Sequence, residues 1–201
     1  MPRPSLSAGA FCRLSRRMWR WRDMLLFDPR GSVNAAVNLI TPAIRPDADL
    51  GMIVMESDYF VPMSGSNLIC TVTVALETGM VAMREPETVV RVDTPAGLVE
   101  VVATCSDGKC RAITFRNIPS FVMHRDSLIE VPEIGSLRVD VAYGGMIYCI
   151  VNAEDLGLTL ARDAARHLVE IGERAKRSAA DAVKPNGRSS CCAMPPLWPG
   201  P

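Results

Sequence analysis

Residues 68–80, LICTVTVALETGM, constrain the fold more than any other stretch of this chain. Leu68, Ile69, Val72, Leu76 and Met80 recur at helical spacing, with Thr and Val between them, so no broad polar face is left for water. A helix that is apolar nearly all round belongs inside a core. Ser64 or Ser66 stands where an N-cap is expected, and Gly79 stands where a helix commonly ends in a left-handed residue. The β-branched residues alone are compatible with a strand. The flanking caps decide for a buried helix over residues 66–78.

Such a helix needs covering elements, and the surrounding sequence reads as strands. Residues 31–44 alternate in part, and residues 50–56 (LGMIVME) form an apolar run of strand length. Residues 88–93 and 98–105 alternate on either side of Thr94-Pro95-Ala96-Gly97, which predicts a hairpin with a four-residue connection. Ser106-Asp107-Gly108-Lys109 turns into a further strand at 111–117, and residues 137–142 and 146–152 flank Tyr143-Gly144-Gly145. Residues 160–183 form an amphipathic helix with Leu168, Ile171 and Ala175 facing inward. The order predicts an α+β fold, strands wrapped around a buried central helix. With 201 residues, 48% of them hydrophobic, the chain can bury a real core, and this excludes disorder for its bulk.

Charge and cysteine usage exclude further classes. The formal net charge is zero, so there is no basic footprint for nucleic acid, and no run of apolar residues is long enough to span a membrane. Seven cysteines, an odd number scattered through apolar runs, do not read as a secreted disulfide framework. They read as buried small hydrophobes in a reducing compartment, the cytoplasm. Cys105 and Cys110 bracket a hairpin tip, and with only His124 and His167 elsewhere the ligand set for zinc is incomplete. The first 22 residues hold six arginines and no acid. That profile fits a transit peptide loosely, and residues 1–23 are read instead as a basic extension outside the domain. Residues 184–201, with five prolines and two glycines, read as an irregular tail, which leaves 24–183 as the folded part.

The residues best placed for chemistry are the loop Pro62-Met63-Ser64-Gly65-Ser66-Asn67. Free amides at a helix N-terminus make an anion site, and a glycine there lets a ligand approach the backbone. Simple capping of a core helix is the alternative, and local pattern alone favours it. Tyr143-Gly144-Gly145 reads as a bend rather than a pocket wall, and both histidines read as surface residues, His124 in a polar loop.

Six ordered blocks carry a resemblance: PRGSVNAAVNLITP, RPDADLGMIVME, VPMSGSNLICTVTVALETGMV, EPETVVRVDTPAGLVEV, NIPSFV and VDVAYGGMIY. Together they resemble the proline racemase family, which includes hydroxyproline epimerases and trans-3-hydroxy-L-proline dehydratases. The resemblance implies one lobe of a fold similar to diaminopimelate epimerase. It also implies a small proline or hydroxyproline substrate whose carboxylate lies at the N-terminus of the central helix, which turns the balance from cap to anion site. Neither metal nor organic cofactor is implied. A homodimer is compatible with the family, although no local feature argues for one.

The family loop carries Met-Cys-Gly-His, and its cysteine is an acid/base thiol. Here Ser64 occupies the cysteine position and Ser66 the histidine position. A serine hydroxyl does not ionise readily where a thiol at a helix N-terminus does. The resemblance therefore points to Ser64 as the catalytic residue, to Gly65, Ser66 and Asn67 as substrate-binding residues, and to the dehydratase branch, which needs one base at Cα. Epimerisation or racemisation is the second reading, and a non-catalytic carboxylate-binding remnant the third. The family's second-lobe block with the other catalytic residue has no counterpart here, which reads as truncation, with weak or no activity of the chain alone.

Overall fold

The computed structural model describes residues 18–182, apart from Val33 and Asp58. The basic stretch before residue 18 and the tail from residue 183 lie outside the described residues. The chain separates after Ile118 into two compact units, where the sequence reading placed residues 24–183 in one lobe.

The first unit contains β1 (Val37–Thr41), β2 (Leu50–Met55), β3 (Phe60–Val61), α1 (Gly65–Glu77), β4 (Glu87–Thr94), β5 (Gly97–Ser106) and β6 (Lys109–Phe115). Its sheet runs β1-β2-β4-β5-β6, with β3 also on β2. All pairs are antiparallel except β2 with β4, which meet only at Leu50↔Val92 and Gly51↔Asp93. Two aspartates reinforce that narrow seam. Asp49 accepts the Arg91 amide on its carboxylate at 2.7 Å and donates its own amide to the Arg91 carbonyl at 2.8 Å. Asp93 Oδ2 accepts the amides of Ile44 and Arg45 at 3.3 and 3.4 Å.

Helix α1 packs on β6 as well as on β1 and β2. Laid flat, five strands would hold β1 and β6 about 19 Å apart, against a helix about 10 Å across. One helix reaches both edge strands only because the sheet curls around it, which is the α+β arrangement the sequence predicts. Every residue of β2 is buried, consistent with its unbroken apolar run. From α1, Leu68, Thr71, Val72, Ala75 and Leu76 are buried. The opposite face is not: Ile69 is 40% and Val74 48% exposed, and Cys70 is exposed too. The expected all-round burial thus holds for one side of α1 only, because the sheet of this unit curls around that side. The hairpin between β4 and β5 is also tighter than expected. Thr94 pairs with Gly97, which leaves Pro95 and Ala96 alone in the connection.

Residues 18–26 are helical and belong to this unit, so ordered structure begins ahead of Met24. Leu26 is fully buried with Ile53, Met55 and Phe60. Trp19 meets Phe60 edge-on at 5.6 Å, and the Arg22 guanidinium lies 3.9 Å from the centre of the Trp19 ring.

The C-terminal end of α1 is tied to the β5–β6 hairpin through Glu77. Lys109 Nζ donates to one carboxylate oxygen at 2.7 Å and the Cys110 amide to the other at 3.1 Å. The Lys109 bond first, and the Cys110 amide second, hold the Glu77 carboxyl below its ordinary pKa of 4.5. A depressed carboxylate contributes stability above its unfolded pKa and loses it as pH falls through the folded value. Glu77→Gln is therefore expected to lower the melting temperature at neutral pH, with the gap to the unsubstituted chain closing in acid. Melting curves across that range check this, and a gap that stays constant into acid contradicts it.

The second unit is a meander, β7 (Phe121–Val131), β8 (Gly135–Tyr143) and β9 (Ile147–Ile150), covered by α2 (Ala165–Ala182). Ile129, Val131, Leu137, Val139 and Val141 form its core with Ala175 and Ala179 of α2, whose small side chains let the helix lie close on the sheet. Leu168 and Ile171 are half-buried beside them. His124 stands on β7 and not in a loop, although it is exposed as expected, as is His167.

Candidate active site

Buried Phe60, Val61 and Met63 fix the approach of the chain to α1. Ser64 is the N-cap, with extended backbone (φ −141°, ψ 122°), and the first helical bond runs from the Leu68 amide to the Ser64 carbonyl at 2.9 Å. The amides of Gly65, Ser66 and Asn67 have no carbonyl one turn back to bond. The Ser64 side chain does not cap them. Its Oγ instead accepts the Asn67 side-chain amide at 2.9 Å and lies 3.5 Å from Ser66 Oγ. The first turn also holds no acidic residue that would answer the positive end of the helix. The N-cap position is thus as expected from sequence, but the capping bond is absent, and the turn stays open to an anion.

The hydroxyl geometry has a chemical consequence. Because Ser64 Oγ already accepts from Asn67, its own proton is directed elsewhere, to Ser66 or to a ligand. Ser64 is set up as a hydrogen-bond donor, and the bond it accepts makes it a poorer base.

Two residues that the sequence reading did not single out complete the turn. Asn38, on β1, donates its side-chain amide to the Asn67 carbonyl at 3.2 Å. Its Oδ1 is buried without a partner. Phe115, at the end of β6, closes the other side, and its ring tip would lie 2.9 Å from a Cβ placed on Gly65. A side chain at position 65 would have to displace the tip of that ring, so glycine leaves Phe115 its place against the turn. Ser64, Gly65, Ser66 and Asn67 thus share one turn, reached by both edge strands of the curled sheet.

The other candidates lie elsewhere. Tyr143-Gly144-Gly145 is the bend between β8 and β9, with Gly145 at φ 105° and the Tyr143 ring 5.2 Å from Phe121. Burial raises the Tyr143 hydroxyl above its ordinary pKa and does the same to the thiols of Cys110 and Cys149. These groups are held neutral, not poised to ionise. Among the described residues no group of three or more His, Cys, Asp or Glu is placed to hold a metal ion. Among the described residues, too, no helix is long and apolar enough to cross a membrane.

Comparison with known proteins sets this turn in context. The family model for proline racemase matches residues 9–190. The 4-hydroxyproline 2-epimerase 1 of Rhizobium rhizogenes is 44% identical over 151 residues, 75% of this chain and 44% of that protein. The 4-hydroxyproline 2-epimerase of Allorhizobium ampelinum is 46% identical over the same shares. The crystal structure of a hydroxyproline epimerase from Agrobacterium vitis, with bound trans-4-OH-L-proline, superposes with a TM-score of 0.82 at 40% identity and covers 90% of this chain and 54% of that one. A probable proline racemase from Agrobacterium radiobacter K84, with bound carbonate, gives 0.82 at 39% identity and the same coverage. The chain spans about half the length of these relatives. Their names fall on the epimerase side, the reading that sequence analysis placed second to dehydration. A match across this much of the chain, with relatives this similar, means that the chain belongs to the proline racemase family.

Proposed function

We propose that this chain contributes the carboxylate-holding half of a site that works at Cα of a hydroxyproline, epimerisation of 4-hydroxyproline at C2 being the best-supported reaction. The observation that carries the reading is the uncapped first turn of α1, in a chain 40% identical to an epimerase crystallised with trans-4-OH-L-proline. The amides of Gly65, Ser66 and Asn67 receive the substrate carboxylate. As the Cα proton leaves, charge moves onto that carboxylate, and preorganised amides stabilise the developing charge more than the ground state. Ser64 donates a hydrogen bond at the same place. Epimerisation needs proton transfer on both faces of Cα. A hydroxyl that accepts from Asn67 is a poor base, so groups other than Ser64 carry the proton transfers at Cα, and Ser64 helps to hold the carboxylate through its hydrogen bond.

Dehydration of trans-3-hydroxy-L-proline is kept as a second reading on one observation. Ser64 stands where the family loop has a thiol, and elimination needs only one base at Cα. One experiment separates the readings: each substrate is incubated with the chain in deuterated water and followed by NMR, beside a melting curve with pyrrole-2-carboxylate. Stabilisation by pyrrole-2-carboxylate is the expected result for this half of the site, and deuterium at Cα of 4-hydroxyproline with inversion would show that the chain also supplies both proton-transfer groups. Conversion of trans-3-hydroxy-L-proline to 1-pyrroline-2-carboxylate would transfer the function to dehydration. No response to any of the three would overturn the proposal.

A further inference from the structure

Cys105 on β5 and Cys110 on β6 are direct partners across a hairpin, and both are free thiols. The turn between them is Asp107-Gly108, with φ of 54° and 69°, and Ser106↔Lys109 closes it. Two left-handed residues in a two-residue connection make the tight hairpin turn whose twist matches the strands. In such a hairpin the closing pair exchanges backbone hydrogen bonds, and the pair behind it does not. Partners at a non-hydrogen-bonded position have Cα atoms about 4.5 Å apart and side chains close together. A disulfide accepts Cα separations of about 4.4–6.8 Å. Behind this pair the ladder shifts, since Thr104 opposes Ala112 and Arg111 is the extra residue.

The surroundings assign the two thiols different parts. Cys105 is 2% exposed, with its sulfur 3.8 Å from Thr88 Oγ1. Cys110 is partly exposed and accepts from Thr73 Oγ1 of α1 at 3.9 Å. A reagent in solution therefore reaches Cys110 first, and Cys105 is the thiol waiting beside it.

We propose that Cys105 and Cys110 form a thiol-oxidation site, closed into one intramolecular disulfide by a low-molecular-weight disulfide such as oxidised glutathione. Burial keeps most of Cys110 protonated, so it is the minor thiolate fraction, growing as pH rises, that attacks one sulfur of the reagent, forming a mixed disulfide and releasing one glutathione thiolate. The Cys105 thiolate then attacks Cys110 Sγ and expels the second. The two protein thiols give up two protons and two electrons, and the reagent takes them up as two thiols. Because Cys110 touches Thr73 and its amide is bonded to Glu77, the cross-link bears directly on the helix that carries Ser64.

The test is a peptide map of the full chain after incubation with oxidised or reduced glutathione, with free thiols blocked and no reduction before digestion. Cleavage after Lys109 separates the two cysteines, so only a disulfide keeps their peptides together. The expected product is the Cys105–Cys110 link, dominant over pairings with Cys12, Cys70, Cys149, Cys191 or Cys192. Cys105→Ser should leave Cys110 as a persistent glutathione adduct, and Cys110→Ser should leave Cys105 unmodified. The second step, closure of the Cys110 adduct onto Cys105, should be slower in urea by on the order of tenfold, since the fold supplies the alignment. The proposal fails if the unsubstituted chain stops at the Cys110 adduct, if Cys110 pairs with another cysteine, or if urea leaves the closure rate unchanged.

Discussion

Asn67→Asp should raise the stability of this chain and abolish its response to carboxylate ligands. Asn67 is the third residue of α1, where no acid now stands. A carboxylate in the first turn of a helix stabilises it by about 0.3–1 kcal/mol. The same substitution removes the donor to Ser64 Oγ and supplies an acceptor, so the Ser64 proton turns inward. A ligand carboxylate would then meet a like charge ~6 Å away, at a cost of about 2–3 kcal/mol in partly exposed surroundings. That is a loss of affinity on the order of a hundredfold. Melting curves with and without pyrrole-2-carboxylate read both effects: a higher baseline for the variant and a ligand shift only in the unsubstituted chain. Equal ligand shifts in the two would place the anion site elsewhere. A pure cap would give the stability gain and nothing to lose.

Leu68→Ala should be the most damaging substitution within α1. Leu68 is fully buried, and truncating such a leucine costs about 2–5 kcal/mol. That is a large share of the 5–15 kcal/mol typical of a domain. Val74→Ala, on the opposite side of α1 and half-exposed, should cost about 1 kcal/mol or less by comparison. Urea midpoints for the pair test whether α1 is covered on one side. Comparable losses would mean that the outer face is buried in solution.

The elements that follow from local pattern were legible in the sequence. Caps and spacing predict a helix over 66–78 and α1 spans Gly65–Glu77, followed by Gly79 at φ 77°. The β4–β5–β6 hairpins follow from alternation and turn residues. β7 does not, because its register shifts on either side of His124 break the alternation, and its exposed residues mix apolar Phe121, Val122 and Leu128 with charged ones. Coverage is equally invisible: Ile69 and Val74 are as apolar as Leu68 and Val72, and only the curl of the sheet decides which pair is buried. At the site, Ser64, Gly65, Ser66 and Asn67 are contiguous and could be read together. Asn38 lies 29 residues from its partner Asn67, and Phe115 is further still from Gly65, so no local signal points to either.

The narrow seam between β2 and β4 sets the order in which this unit assembles. The β4–β5–β6 hairpins close short loops, whereas the seam joins strands separated by the whole α1 crossover, at a larger entropic cost and for only two ladder pairs. Asn38 comes from the block on one side of the seam and Phe115 from the block on the other, and both reach the first turn of α1. The turn is complete only once the seam has closed. An anion seated there is also a clamp across the joint, so occupancy and folding are two readings of one equilibrium.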